Sequence, residues 1–370
     1  MPKKIFLFSR DPGGSNTIIP LVAPLINKGY QVELYGKDFA LKRYAKFGLI
    51  GKDIESEINC IDEYAIKAFL KGKKIDFIIT GTSGNDFTER FIWKASRDLN
   101  IPSLAILDHW INYGIRFSKY SVLELGKYEK DKQQIYLPFK IAVMDEYSKN
   151  EIIKDGVDSS LVVVTGQPYF ELLKKQKLKF LKNRKKTLLT VESDFLISFI
   201  SEAVSISYKN NYWGYTEKTI FNEFLNALNV VISKTNKKIT VIIKIHPRES
   251  LDFYLKTINF YDKKKINFVI DDNTSSWELI CRSDLICGMV SMFLIEAVIL
   301  NKPALSIQIG LKRKNCFFLD AQNILRSILD QKSLIVELKK IIIDKDVPKY
   351  KFDVIKNPVE KILSHLERNL

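Results

Sequence analysis

Short, almost wholly apolar runs alternate along this chain with longer segments whose apolar residues recur at helical spacing. Runs apolar at every position, not at every second one, suit strands buried on both faces, and the helical segments between them suit crossovers of a parallel sheet. Lys4–Ser9 is the first such strand; the turn Asp11-Pro12-Gly13-Gly14-Ser15-Asn16 follows it, then a helix over Thr17–Lys28 and the strand Gln31–Tyr35. Asp76–Thr80 repeats the theme, running into Gly81-Thr82-Ser83-Gly84-Asn85, with a helix over Thr88–Leu99 and a strand over Ser103–Leu107. Ile141–Met144, a helix over Glu146–Asp155 and Leu161–Val164 complete the first series.

The lysine-rich helical stretch Tyr169–Lys186 reads as a connector. Beyond it, strands are expected over Thr187–Val191, Thr240–Ile245, Phe268–Ile270, Leu285–Cys287 and Ala304–Ile307. Helices near Ile220–Lys234, Leu251–Ile258, Ser275–Cys281 and Ser291–Ile299 alternate with them. A terminal helix over Pro358–Arg368 carries Val359, Ile362, Leu363 and Leu366 on one side. The pattern therefore predicts two doubly wound α/β domains: 1–168, a linker at 169–186, and 187–370 with the terminal helix in the second domain. Such a pair places a ligand cleft between the carboxyl ends of the two sheets.

Composition narrows the class. With 46% hydrophobic and 27% charged residues in 370, the chain reads as globular and long enough for two cores. Four scattered cysteines without a CxxC pair fit a reducing compartment. The N-terminal apolar run Ile5–Phe8 is too short for a signal peptide, no membrane-length run occurs, and a cytoplasmic protein is expected. Lysine and arginine exceed acids by 58 − 43 = 15. That excess implies an anionic partner, and the basic clusters, without aromatic interleaving, suit a phosphorylated substrate or peripheral contact with an anionic membrane better than nucleic acid.

The candidate chemistry lies where strands end. Ser283–Ile307 reads as a strand, a turn of small residues at Gly288, a helix opening at Ser291-Met292, and a second strand. Helix-start amides there would take a phosphate, to which Ser291 could add a hydroxyl or merely cap the helix. Glu296, alone among apolar neighbours, needs a polar partner: a ribose hydroxyl, or a salt bridge to Arg248 or Lys302. His246-Pro247-Arg248 follows an apolar strand and could neutralise charge on a leaving nucleotide, or cap the loop. Ser275 and Trp277 line a base pocket in one reading and pack in the core in the other.

In the first domain Asp11 is the candidate base, with an ordinary helix-start acid as the alternative. Asp108 and His109 are rivals for the same role. Gly13 and Gly14 would let backbone approach an acceptor, and Gly81, Thr82 and Ser83 would offer it donors. Glu192-Ser193 is expected at the corresponding place in the second domain. No metal site is expected: no DxD triplet stands out, and Asp271-Asp272 reads as a turn.

These stretches resemble a family. IAVMDEYSKNEIIKDGVDSSLVVVTGQPYFELL is similar to the end of the first domain of GT-B glycosyltransferases and of the related non-hydrolysing nucleotide-sugar 2-epimerases. IIKIHPRES resembles an HP motif shared by those epimerases, bacterial sialyltransferases and CDP-glycerol-type transferases, and SDLICGMVSMFLIEAVILNKPALSI resembles their D…S…EA…KP signature. The resemblance implies a GT-B architecture of two Rossmann-like domains. It also implies metal-independent transfer of a sugar from a UDP- or CMP-activated donor to a hydroxyl of a cell-surface glycan or lipid-linked precursor, with the nucleotide-sugar as substrate and no cofactor. IPSLAILDHWINYGIR is similar to an epimerase segment in which a catalytic Glu precedes GLR, but Asn112 stands there, which argues against epimerisation. A CDP-glycerol-type phosphotransferase, a 2-epimerase, and a non-catalytic nucleotide-sugar or nucleic-acid binder are the alternatives.

Overall fold

The computed structural model describes residues 2–182, 193–261, 264–271 and 274–370. It divides into two units: the chain up to Leu172 together with Val354–Leu370, and Leu173–Asp353.

The first unit carries a seven-stranded, wholly parallel sheet: β1 (Lys4–Ser9), β2 (Gln31–Gly36), β3 (Lys52–Asp53), β4 (Phe77–Thr80), β5 (Ser103–Ile106), β6 (Lys140–Val143) and β7 (Val162–Val164). Their order is β3-β2-β1-β4-β5-β6-β7, so strand order reverses between β1 and β4. The alternation inside β1 explains why it reads as one apolar run. Ile5 and Leu7 belong to the core under the helix Pro12–Asn27, whereas Phe6 and Phe8 enter the core on the other face with Tyr35, Ile66 and Leu70. Both faces are covered, so no position can be polar without a partner.

The second unit holds six parallel strands: β8 (Phe195–Ile200), β9 (Ile239–Lys244), β10 (Ile266–Ile270), β11 (Leu285–Gly288), β12 (Ala304–Ile307) and β13 (Ser327–Ile328). Here the order is β10-β9-β8-β11-β12-β13, reversing between β8 and β11. The sequence pattern missed β3 and β13, which are two residues each and carry too little periodicity to register. It also missed β8. The strand expected over Thr187–Val191 lies outside the described residues, as do Glu192 and Asp272.

One assignment is corrected. The terminal helix Pro358–Glu367 belongs to the first unit, not the second. Ile362, Leu363 and Leu366 enter the same apolar core as Ile18, Leu21 and Leu25 of the helix Pro12–Asn27, and Lys28 pairs with Glu367 at 2.7 Å. An amphipathic stripe is indifferent to which apolar face covers it, so sequence position could not choose. Gly166 shows how the return is accommodated: its φ of +89° disfavours any side chain, and a Cβ there would meet Ile355 and Pro358 at 2.9–3.1 Å. The unit division itself falls inside the helix Pro168–Lys182.

Leu366 is fully buried in this core. Leu366→Ala should cost about 2–5 kcal/mol by lost transfer and cavity terms. Hydrogen exchange read strand by strand should place that loss in β1 and β4 and leave β8 and β9 protected; the reverse distribution would contradict the assignment.

Candidate functional site

In open parallel sheets the loops at a reversal of strand order splay to opposite faces and leave room at the carboxyl edge. In the first unit this brings together the loops after β1 and β4, with the loop after β5 beside them. Asp11 is the N-cap of the helix Pro12–Asn27, yet its side chain makes no capping bond. It accepts from the Ser83 hydroxyl at 2.7 Å and pairs with Arg10 at 3.0 Å. Burial, reinforced by the Asp108 charge, raises the Asp11 carboxyl above its ordinary value against the opposing pull of Ser83 and Arg10. Its side chain is thus turned to Ser83 and Arg10 and not to the helix it begins.

Asp108 is held differently. Arg116, 7% exposed, donates to its Oδ1 at 2.6 Å and also to the Thr82 hydroxyl at 3.0 Å, the Thr82 carbonyl and the Asn112 carbonyl. One guanidinium thus ties the loops after β4 and β5 together and neutralises Asp108. The acid–imidazole pair considered for Asp108 and His109 does not form, since Asp108 is spent on Arg116. The His109 Nδ1 is buried without a hydrogen-bond partner among the described residues. Burial and then the Arg116 charge push this imidazole down to about 3, so it stays neutral and is a poor base.

The glycines and hydroxyls expected to meet an acceptor are used within the scaffold. A Cβ on Gly13 would lie 1.9 Å from Asp108 Oδ2, and one on Gly81 would lie 2.8 Å from the Gly14 Cα. Their bareness lets three loops close on one another. Thr82 serves Arg116, and Ser83 serves Asp11 and the Asp86 amide. Sequence reading missed Arg10, Arg116 and the buried Glu89, whose carboxyl is raised well above its ordinary value by burial and the nearby charges of Asp11 and Asp86. Basic residues are so frequent in this chain that no local signal marks Arg10, and the GIR likeness to GLR gave Arg116 a place in a motif but no role.

The second unit repeats the arrangement where the loops after β8 and β11 meet. Ser291 caps the helix Met292–Ile299, its Oγ accepting from the Phe293 amide at 3.2 Å. The turn amides, expected to be open to a phosphate, already hold an anion. Glu202, just past β8, accepts from Met289 N at 3.0 Å and Val290 N at 2.8 Å. Burial, with a lesser push from Glu249, raises its carboxyl to about 7 although those amides favour the charged form. Gly288 packs tightly on β8, where a Cβ would come 3.2 Å from the Ile200 carbonyl. Glu202 was missed because the first strand was drawn one apolar run too early. The same slip put Ser193 at the functional edge, whereas it stands at the amino end of β8 and bonds the Phe195 and Lys238 carbonyls.

His246 leaves β9 with its Nδ1 accepting from the Arg248 amide at 3.2 Å. Burial and the Arg248 charge push it down to about 4. The imidazole is therefore neutral and carries its proton on Nε2, a hydrogen-bond donor without net charge. Pro247 and Arg248 are exposed, and Arg248 donates to the Ser207 hydroxyl at 2.9 Å. Glu296 is buried, 3% exposed. Trp277 is half-buried and meets Phe180 edge-on at 5.8 Å, while the Ser275 hydroxyl is buried without a hydrogen-bond partner among the described residues. No group of three or more potential metal ligands occurs among the described residues, and no described helix is long and apolar enough to cross a membrane.

Three expectations follow. At a pH one unit below the ordinary histidine value of 6.5, two-bond proton–nitrogen NMR should show His109 and His246 neutral, with His246 in the Nε2–H form; an imidazolium pattern for either would contradict the geometry. Because the unfolded chain binds protons that these folded imidazoles refuse, both sites should stabilise the fold above about pH 6.5 and progressively less below it. Arg116→Met should cost about 3 kcal/mol or more in urea unfolding by leaving the Asp108 carboxylate without its ion pair; Asp108→Asn in the same background should recover part of that loss.

No family model matches the chain, and no curated protein matches it. Solved structures do. A putative UDP-N-acetylglucosamine 2-epimerase from Listeria monocytogenes superposes with a TM-score of 0.71 at 12% identity, over 99% of this chain and 96% of that one. UDP-GlcNAc 2-epimerase from Neisseria meningitidis, in a structure bound to UDP-GlcNAc, gives 0.69 at 14% identity, over 99% and 100%. MurG from Acinetobacter baumannii gives 0.55 at 9% identity, over 99% and 100%. Identities this low speak to architecture alone: the chain has the two-domain GT-B fold with Rossmann-like parallel sheets.

Proposed function

We propose that the chain is an enzyme acting on a nucleotide-activated sugar, with the nucleotide phosphates held by the second unit and proton transfer handled by Asp11 of the first. The observation that carries this reading is the amide cradle at Met289-Val290, where the backbone already holds a carboxylate and so is built to hold an anion. The neutral Nε2–H of His246 stands at the end of β9 in the same sheet and would be a second donor. Preorganised donors of this kind stabilise a departing diphosphate as charge builds on it. The fold neighbours include a structure bound to UDP-GlcNAc, which is consistent with such a ligand.

Sugar transfer is the reading that the first-unit residues favour. Asp11, with its raised carboxyl, would take the proton of an acceptor hydroxyl; the oxygen would attack the anomeric carbon as the C1–O bond to the nucleotide diphosphate breaks and the diphosphate leaves with the bonding pair. A cell-surface glycan or its lipid-linked precursor is the proposed acceptor, and the basic excess would hold the enzyme at an anionic cytoplasmic membrane face.

The second reading, 2-epimerisation, is favoured by the predominance of epimerases among the fold neighbours. Against it stands Asn112, an amide in the left-handed region (φ 57°) where the resemblance calls for a catalytic Glu.

Product analysis separates the readings. Incubation with UDP-, CMP-, GDP- and CDP-activated compounds, with and without hydroxyl acceptors, is followed by NMR. Acceptor-dependent release of nucleotide supports transfer, and a C2 epimer formed from UDP-GlcNAc without acceptor supports epimerisation. CMP released from CDP-glycerol would point to phosphotransfer instead. Turnover of none of them would overturn the enzymatic reading. Asp11→Asn should lower turnover by roughly a hundredfold or more, the usual worth of a positioned base.

A further inference from the structure

Glu202 is an acid where a nucleotide enzyme would be expected to keep room for phosphate. Its carboxylate reaches across from the end of β8 to the turn after β11 and takes the Met289 and Val290 amides, at 3.0 and 2.8 Å. These N–H groups have no helical partner and are the ones a phosphate would need. A charged ligand and this carboxylate cannot share them: two anions on one set of donors repel in a site of low dielectric.

The groups around Glu202 make its hold conditional. Glu249, from the loop after β9, adds a like charge, and Tyr215 and Cys316 are the other titratable groups whose electrostatics couple to it. Glu249 is itself bonded by the Ser201 hydroxyl at 2.8 Å and by the Tyr254 hydroxyl, so it stays in place beside Glu202.

We infer that Glu202 is a resident anion of the phosphate cradle, which keeps the amides ordered when the site is empty and which an incoming nucleotide phosphate must displace. The inference rests on the nucleotide reading above and adds to it a built-in competitor. Displacement is easiest when the carboxyl is protonated, because a neutral acid holds N–H donors weakly and repels no phosphate. Burial pushes its carboxyl up to about 7, so the competition changes across the physiological range. Ligand affinity should fall as pH rises and Glu202 ionises.

The test uses the full chain with inorganic pyrophosphate and with UDP as probes, titrated calorimetrically on both sides of pH 7. Glu202→Gln serves as the reference, which cancels the titration of the probes themselves. Above the Glu202 value, wild-type affinity should fall relative to the variant by up to about tenfold per pH unit, the limit for one linked proton. Well below it the two proteins should converge. Parallel curves for the two proteins, or loss of binding in a folded Glu202→Gln variant, would overturn the competition while leaving the nucleotide reading intact. Absence of binding by either protein at every pH would remove both. Should Glu202→Gln not fold, Glu249→Gln takes its place. Removing the like charge should move the break in the wild-type curve to lower pH, and an unmoved break would count against the proposal.

Discussion

A strand buried on both faces of a parallel sheet has nowhere to put a charge except at its end, and every chemically useful group discussed above obeys that constraint. Two sheets in this chain each reverse their strand order once, and at each reversal polar side chains from loops distant in sequence converge. In the first unit Arg116 is the tie: a single guanidinium bonds Asp108, the Thr82 hydroxyl and carbonyl, and the Asn112 carbonyl. In the second, Glu202 plays the corresponding part by joining the end of β8 to the turn after β11. Arg116 fixes the loops after β4 and β5 on one another and Glu202 fixes the turn amides after β11, while Asp11 is held beside the first tie by Ser83 and Arg10.

The two ties have opposite electrostatic character. At the first, a cation pairs with Asp108, while burial, reinforced by the Asp108 charge and opposed by Ser83, Arg10 and Arg116, raises the proton affinity of its neighbour Asp11. At the second, an acid occupies donors that would otherwise attract an anion. Both imidazoles considered as candidates, His109 and His246, are kept neutral by burial, with a nearby arginine charge adding to it. They are therefore polar donors or acceptors without net charge. A chain with 58 basic residues still places acids at both of its strand-order reversals.

Several elements were legible in advance. β1, β5, β11 and β12 announce themselves as mostly apolar runs bounded by turn residues, and the turns after β1 and β4 carry glycines. The GT-B architecture was readable from that rhythm together with the motif resemblance. Less was legible of the roles. Gly13 looked like a place for ligand and proved to be a place for Asp108. Ser83 looked like a substrate donor and is the partner of Asp11. In each case the residue type was right for the location, but its partner came from a loop some seventy or more residues away, and a local pattern contains no information about that distance.

What this amino-acid order settles alone is the alternation of strand and helix, and with it the parallel sheets whose carboxyl edges carry the sites. Tertiary structure decided who meets whom there. It sent the terminal helix back to the first unit's core, because an apolar stripe specifies only that it be covered. It set Arg116 on Asp108 and Glu202 on the β11 turn, because ion pairs and amide cradles form between whichever groups the closing loops bring within about 3 Å. Hydrophobic periodicity is a local property and survives in one dimension; the pairing of polar groups depends on three.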